Sequence, residues 1–234
     1  MLNIVITGAS KGMGKAMAEK FAAAKNNIFI CSRNEKELAQ TAREVNERFG
    51  NYVDYFSADL SQKQEVLKFA DWLLNKNIPI DILINNAGQF VPGSVYNEPD
   101  GNLEKMLDIN LFSAYHLTRA LLPEMMKKKC GHIFNICSIA SLKAYSNGGS
   151  YSISKFALAG FSKNLREEMK PFNIKVTAVY PGAVMTASWE GANIPAERIM
   201  EVEDVATMIF SASSLSPQAC VEDIVIRPLL GDLP

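Results

Sequence analysis

Leu2-Asn3-Ile4-Val5-Ile6-Thr7-Gly8-Ala9-Ser10-Lys11-Gly12-Met13-Gly14, at the start of the chain, decides the fold. Leu2–Thr7 is a strand-like apolar run. The glycine-punctuated turn after it leads into a segment where Met17, Phe21 and Ala24, at steps of four and three, share one helical face. A strand that turns through glycines into a helix brings backbone N–H groups and the positive end of the helix dipole to one point. A pyrophosphate can be held there. Gly8, Gly12 and Gly14 are spaced G-x-x-x-G-x-G. A tight strand-to-helix turn calls for glycine as well, so the loop needs corroboration from the rest of the chain.

Moving outward, short β-branched runs keep alternating with longer amphipathic ones. Strands are expected over Asn3–Thr7, Asn27–Ser32, Tyr52–Ser57, Asp81–Asn85, His132–Cys137, Ile174–Tyr180 and Asp223–Arg227. Helices are expected over Met13–Lys25, Glu35–Phe49, Lys63–Asn75, Leu103–Lys129, Tyr151–Lys170 and Glu203–Ser213. Several strands are almost continuously apolar, as strands covered on both faces are. Strict alternation implies an α/β fold: one doubly wound, Rossmann-type parallel sheet of about seven strands, with helices on both faces and right-handed crossovers. Without a linker or repeat, residues 1–234 read as a single domain, with a substrate-loop region near residues 183–200. In such sheets ligands bind beyond the carboxyl ends of the strands.

Composition narrows the function. The 234 residues are 48% hydrophobic and 21% charged, with a formal net charge of −1. Near-neutrality argues against a nucleic-acid binder, and the longest apolar windows, Asp81–Ala87 and Asn173–Tyr180, are far short of the ~20 residues of a membrane span. The N-terminus enters a strand directly with no leader pattern, so a cytoplasmic location is expected. Cys31, Cys130, Cys137 and Cys220 form no C-x-x-C, and His116 and His132 complete no zinc set with them, so free thiols and no metal are expected.

Where a carboxylate would hold a free ribose 2′-hydroxyl, at the end of the second strand, the sequence reads Ile30-Cys31-Ser32-Arg33. Arg33 can bind a 2′-phosphate and stack on adenine, and Lys11 adds a second charge; each alone is an ordinary surface cation, but together they favour NADP(H). Tyr151 and Lys155, four apart in a helix, share a face. Alone the pair is an ordinary helix-surface pair; with the Lys155 ammonium near, assisted by a positively charged nicotinamide, the phenolate of Tyr151 would be favoured and its pKa lowered. Ser138 ends a strand, Asn85-Asn86-Ala87-Gly88 ends another, and Asn110 sits inside a helix, where Asn is unfavourable unless its amide finds partners.

Taken in order, Thr7-Gly8-x-x-x-Gly12-x-Gly14, Asp59, Asn85-Asn86-Ala87-Gly88, Asn110, Ser138, Tyr151-x-x-x-Lys155 and Pro181-Gly182-x-Val184-x-Thr186 resemble the short-chain dehydrogenase/reductase family across essentially the whole chain. Pro181–Val184 with Thr186 and Trp189, and the ending Val221–Pro228 with Gly231-Asp232, resemble the bacterial sepiapterin reductase group; the Val-Asp-Gly-Gly motif of the 3-oxoacyl-thioester reductases is absent. The resemblance implies a carbonyl reduction. Tyr151 would donate the proton, Ser138 would orient the oxygen, Lys155 would bind the nicotinamide ribose, and Asn110 would hold a relay water. The cofactor would lie on Gly8, Ser10, Lys11, Gly12, Met13, Gly14 and Arg33, with Asp59 and Leu60 at the adenine. Asn86, Ala87 and Gly88 would line it, and Pro181, Gly182, Val184 and Thr186 would hold the carboxamide end.

The segments Gln89–Asn97, Leu142–Ser150 and Met185–Ala196 should wall a substrate pocket with Tyr145, Met185 and Trp189, apolar and with few charges before Glu190. That suits a small or flat carbonyl compound, and Asp232 would be placed to meet a pterin's amino groups. Ser141 and Ser150 miss the family position. His132 reads as a strand start, Lys127–Lys129 as a solvated helix end and Glu222-Asp223 as an exposed strand entrance. A homodimer or homotetramer pairing the long helices is implied by the resemblance. A thioester or hydroxy-acid oxidoreductase and a silent dinucleotide sensor stay open as alternatives.

Overall fold

The computed structural model describes residues 1–186 and 194–232. The elements run β1 (Asn3–Thr7), α1 (Gly12–Ala23), β2 (Asn27–Ser32), α2 (Glu35–Phe49), β3 (Val53–Ser57), α3 (Lys63–Leu74), β4 (Ile82–Asn85), α4 (Asn102–Leu107), α5 (Ser113–Lys128), β5 (Gly131–Ile136), α6 (Gly149–Met169), β6 (Ile174–Pro181), α7 (Val202–Ser213) and β7 (Asp223–Ile226). All seven strands are parallel, in the order β3-β2-β1-β4-β5-β6-β7. The expected doubly wound α/β sheet is the fold.

Alternation of side chains builds the layers. Ile4 and Ile6 of β1, with Ile28 and Ile30 of β2, pack into a cluster with Met17, Phe21, Leu38 and Ile209 of α1, α2 and α7. Val5, Phe29 and Leu83, the residues between, point through the sheet to Phe69, Leu117 and Leu165 of α3, α5 and α6. The inner strands β1, β2, β4, β5 and β6 are therefore buried on both faces, while the edge strands β3 and β7 are partly open. A fully buried Ile, Val or Phe side chain contributes about 1.5–3 kcal/mol. Among the described residues no helix is long and apolar enough to cross a membrane.

Two expectations need correction. The helix expected over 103–129 is α4, a π turn over Asp108–Phe112, and α5. The helix of Tyr151 starts earlier, at Gly149. The lysine run is the exposed helix end that was expected, with surface pairs added. Lys127 pairs with Glu124, Lys128 with Asp81, and Lys129 closes α5 in the left-handed region. Glu222 and Asp223 are exposed, yet both pair with the buried Arg166.

Buried amides tie the layers together at the centre. Asn85 Nδ2 donates to Asn135 Oδ1 (2.8 Å) and Thr118 Oγ1 (3.0 Å), and Asn135 Nδ2 donates to Ser162 Oγ (2.9 Å). β4, β5, α5 and α6 are thus pinned to one another directly beneath the strand ends.

His132 does more than begin β5. Thr177 Oγ1 donates to Val221 O, so His132 Nε2, 2.7 Å from that hydroxyl, is assigned the N–H. Burial, with Lys175 adding to it, pulls the His132 pKa down to about 3. Between pH 6.5 and 3 the unfolded chain therefore binds a proton that the folded chain refuses. Stability should fall with acid over that window, by up to about 1.4 kcal/mol per pH unit. Urea midpoints measured across the window should show the slope, and His132→Asn should flatten it; an unchanged slope would place the acid sensitivity elsewhere.

Candidate active site

Strand order reverses between β1 and β4, and the two loops leaving them are sewn together there. Thr7 Oγ1 accepts from the N–H groups of Asn86 and Ala87, both at 2.9 Å. Asn86 Nδ2 donates to Thr7 O (2.9 Å) and Gly8 O (3.0 Å). Gly8 (φ +65°) and Gly12 (φ +56°) take the left-handed turns for which glycine is suited. Thr41 Oγ1 holds the Ser10 carbonyl at 2.8 Å. Met13 lines the cleft above.

The neighbouring strand ends carry the other residues expected at the cofactor, of which Lys11, Arg33, Asp59 and Leu60 lie outside the cleft lining. Arg33, after β2, and Lys11, in the glycine turn, are both exposed. Asp59 follows β3 and accepts from Ser61 N (3.1 Å) and Ser61 Oγ (2.8 Å), and Leu60 beside it is buried. On the far side Pro181 ends β6, Gly182, Val184 and Thr186 follow it, and all four border the cleft that Met13 lines.

Ser138 leaves β5 as the cap of a short 3₁₀ turn, its Oγ accepting from Ala140 N at 3.1 Å. Ser141 Oγ turns back to accept from Ser138 N at 3.2 Å, so Ser138 borders the cleft and Ser141 does not. On α6, Lys155 Nζ donates to Ile136 O at 2.8 Å and stands 5.9 Å from the Tyr151 ring centroid. Asn110, on the π turn, accepts from Gln89 N (2.8 Å) and donates to Gln89 O (3.0 Å) and Ser154 Oγ (2.9 Å). These are the partners that an interior Asn requires. π turns recur at functional sites, and this one aims Asn110 at the loop after β4.

Burial pushes the Tyr151 phenol up to about 12, opposed by the hydrogen bond with Ser138. Burial also draws the Lys155 ammonium down to about 8. The expected lowering of the phenol pKa is thus reversed in the protein alone. Desolvation dominates, and Lys155 is turned to the Ile136 carbonyl. At neutral pH the phenol is neutral, the form able to donate a proton.

The cleft between these elements has a volume of about 850 Å³. Ser138, Tyr151 and Lys155 lie on it with Phe90, Leu142 and Tyr145. Phe90 meets the Tyr151 ring edge-on, centroids 4.9 Å apart, a contact that no spacing rule announces. The expectation of few charges is corrected: Lys143, Arg227 and Asp232 also face the cleft, and Asp232 is ion-paired with Arg227. Met185 is half-exposed and outside the lining, and Trp189 lies outside the described residues.

A dinucleotide fits this surface. Gly88 is a cradle: a Cβ there would sit 3.0 Å from Asn110 Oδ1 and 3.4 Å from Lys155 Nζ, filling the space where the two groups converge. Ser32 Oγ, at the end of β2, and Asn86 Oδ1, after β4, are buried without a hydrogen-bond partner among the described residues. Such atoms call for an explanation, and a polar ligand across the strand ends supplies one.

Comparison with known proteins agrees with this geometry. Residues 2–195 match the family model for short chain dehydrogenases. The sepiapterin reductase of Chlorobaculum tepidum is 31% identical over 238 residues, covering 98% of this chain and 97% of that protein. A metagenomic short-chain oxidoreductase, solved in complex with NADP, superposes with a TM-score of 0.85 at 28% identity, over 97% of this chain and 96% of that one. L-sorbose reductase from Gluconobacter frateurii, solved with NADPH and L-sorbose, does so with a TM-score of 0.90 at 25% identity, over 97% and 95% of the two chains. With the glycine turn, the switch-point crevice and the Ser138–Tyr151–Lys155 cluster on one cleft, the chain belongs to the short-chain dehydrogenase family of oxidoreductases.

Proposed function

We propose that this protein reduces a small carbonyl compound to an alcohol with NADPH. The observation that carries the reading is the convergence of Ser138, Tyr151 and Lys155 on a cleft whose floor is the strand-end crevice. Bound there, NADPH supplies the hydride. Tyr151, neutral at working pH, donates its phenolic proton to the carbonyl oxygen. Ser138 donates a hydrogen bond to the same oxygen and steadies the charge that develops on it. Lys155 binds the ribose hydroxyls beside the nicotinamide, and Asn110 holds the loop that carries Gly88 and Gln89. Asn110 Oδ1, which accepts once from Gln89 N, keeps a lone pair for a relay water. Arg33 and Lys11 meet the 2′-phosphate, which selects NADPH over NADH. Leu103, Phe112, Ile153 and Phe156 stand exposed on the helical segments that would pair in a dimer or tetramer.

A second reading is favoured by Lys143 on the cleft, since Arg227 is already paired with Asp232. Lys143 suits a substrate bearing an acid or a phosphate-containing thioester arm, as a 3-oxoacyl-thioester or hydroxy-acid oxidoreductase would take.

NADPH oxidation should be followed against sepiapterin, diketones, aromatic ketones, keto acids and a 3-oxoacyl thioester, with NADH in parallel. Preference for the neutral ketones or sepiapterin supports the first reading; preference for the acids or thioester supports the second. Arg33→Ala should weaken NADPH binding by about 1.5–3 kcal/mol, roughly ten- to a hundredfold, the worth of charge-assisted hydrogen bonds. NADH binding should weaken far less, by the loss of adenine stacking alone. Equal losses for both cofactors would remove Arg33 from the 2′-phosphate.

A further inference from the structure

The loop from β4 to α4 is fastened to the first turn of α6. Glu98 Oε1 accepts from Ser150 Oγ at 2.5 Å, and Glu98 Oε2 accepts from Ser150 N at 3.3 Å. Gly93 N donates to Asn147 O at 3.1 Å, and Ser94 Oγ donates to Asn147 Oδ1 at 2.9 Å. Gly93 and Gly149 meet backbone to backbone: a Cβ on Gly149 (φ +38°) would lie 2.4 Å from Gly93 O and 3.0 Å from Glu98 Oε2. The loop closes on itself where Glu98 N donates to Ser94 O at 2.9 Å.

Two features make this more than loop packing. α6 has no cap of its own, because the residue before it is Gly148, which has no side chain to offer. Glu98 supplies the missing acceptor from another loop, a carboxylate at the positive end of the helix. The same loop touches Tyr151 at its other end, where Phe90 stands against the phenol ring and Gln89 is held by Asn110. Glu98 therefore grips the residue immediately before Tyr151, on a segment that already contacts the Tyr151 ring.

We propose that Glu98 is a positioning residue: through Ser150 it locks the first turn of α6, and with it Tyr151, to the loop carrying Phe90. The proton donor and the cleft wall then keep one spacing. The inference rests on Tyr151 being the proton donor, as argued above.

The test uses the full chain with Glu98→Ala, Glu98→Gln, Ser150→Ala and the double variant Glu98→Ala/Ser150→Ala. For Glu98→Ala, kcat should fall roughly tenfold, within the range that about 1 Å of misplacement produces. NADPH Kd should not change, and Glu98→Gln, which keeps one acceptor oxygen, should be intermediate. The double variant should be no slower than Glu98→Ala alone, because both changes break the same link. Amide hydrogen exchange, read without cofactor or substrate, should quicken together in residues 90–94 and 149–152.

Wild-type kcat in Glu98→Ala, losses that multiply in the double variant, or exchange unchanged in both segments would each overturn the proposal. If Glu98→Ala does not fold, Glu98→Gln and Ser150→Ala carry the same comparison. Full turnover in Tyr151→Phe would instead overturn the assignment of the proton donor, and the exchange result would stand apart from it.

Discussion

Tyr151→Phe is expected to lower kcat for carbonyl reduction by about 10²–10⁴-fold, the span a positioned proton donor supplies. NADPH affinity should stay at the wild-type level. The substitution removes one hydroxyl and leaves the ring, so the edge contact with Phe90 at 4.9 Å survives. The proton donor and the partner of the Ser138 hydroxyl are lost. Single-turnover oxidation of bound NADPH is the measurement, since it separates binding from chemistry. Retained turnover would move the proton to another group, Ser138 first. The pH profile of the wild type should carry the same signature. Reduction needs the protonated phenol, so with Tyr151 near 12 the rate should be level through neutral pH. It should decline only on the alkaline side, beginning where Lys155, drawn down to about 8, gives up its charge.

Gly14→Ala should be the most damaging glycine-to-alanine change among the described residues. A Cβ at Gly14 would lie 2.2 Å from Gly8 O, 2.7 Å from Ala9 Cα and 2.8 Å from Asn86 Nδ2. None of the three can give way. Two are backbone, and the third is the amide that sews the β1 and β4 loops together. Overpacking a dense core costs about 1–3 kcal/mol even where neighbours adjust, so a loss of at least about 3 kcal/mol is expected here, with NADPH binding lost alongside. Gly160→Ala is the matched control on α6. Nothing lies within 4 Å of its Cβ position, so the helix should gain about 1 kcal/mol instead. Denaturant midpoints of the two variants should move in opposite directions; a mild Gly14→Ala would mean the glycine turn has room that its contacts deny.

Most strand positions were legible in the sequence to within a residue, because strands buried on both faces leave continuous apolar runs. The glycine turn, Ser138, Tyr151 and Lys155 were legible for a different reason: each sits at a strand end or on a helix face that local pattern can locate. Other features have no such trace. The π turn carries one residue more than an α turn, which alters no composition, and the interior placement of Asn110 was its only sign. Gly148-Gly149 reads as loop although Gly149 already starts α6, since a cap supplied by Glu98 from another loop is invisible to any local window. The direction of loop side chains is equally unwritten, so Lys143 and Arg227 were missed at the cleft, although Asp232 was expected there. The buried bond between His132 and Thr177 joins β5 to β6 and follows no periodicity.

The π turn at Asp108–Phe112 also sets an angular register. An α-helix advances about 100° per residue. One surplus residue in that turn therefore leaves everything upstream rotated by about that angle, relative to where an unbroken helix would put it. Two relatives can share every side chain of the cleft and still differ by a single residue of length here. The shorter one would swing Asn110 away from Gln89 and Ser154. At this point the bare count of residues carries as much information as their identity.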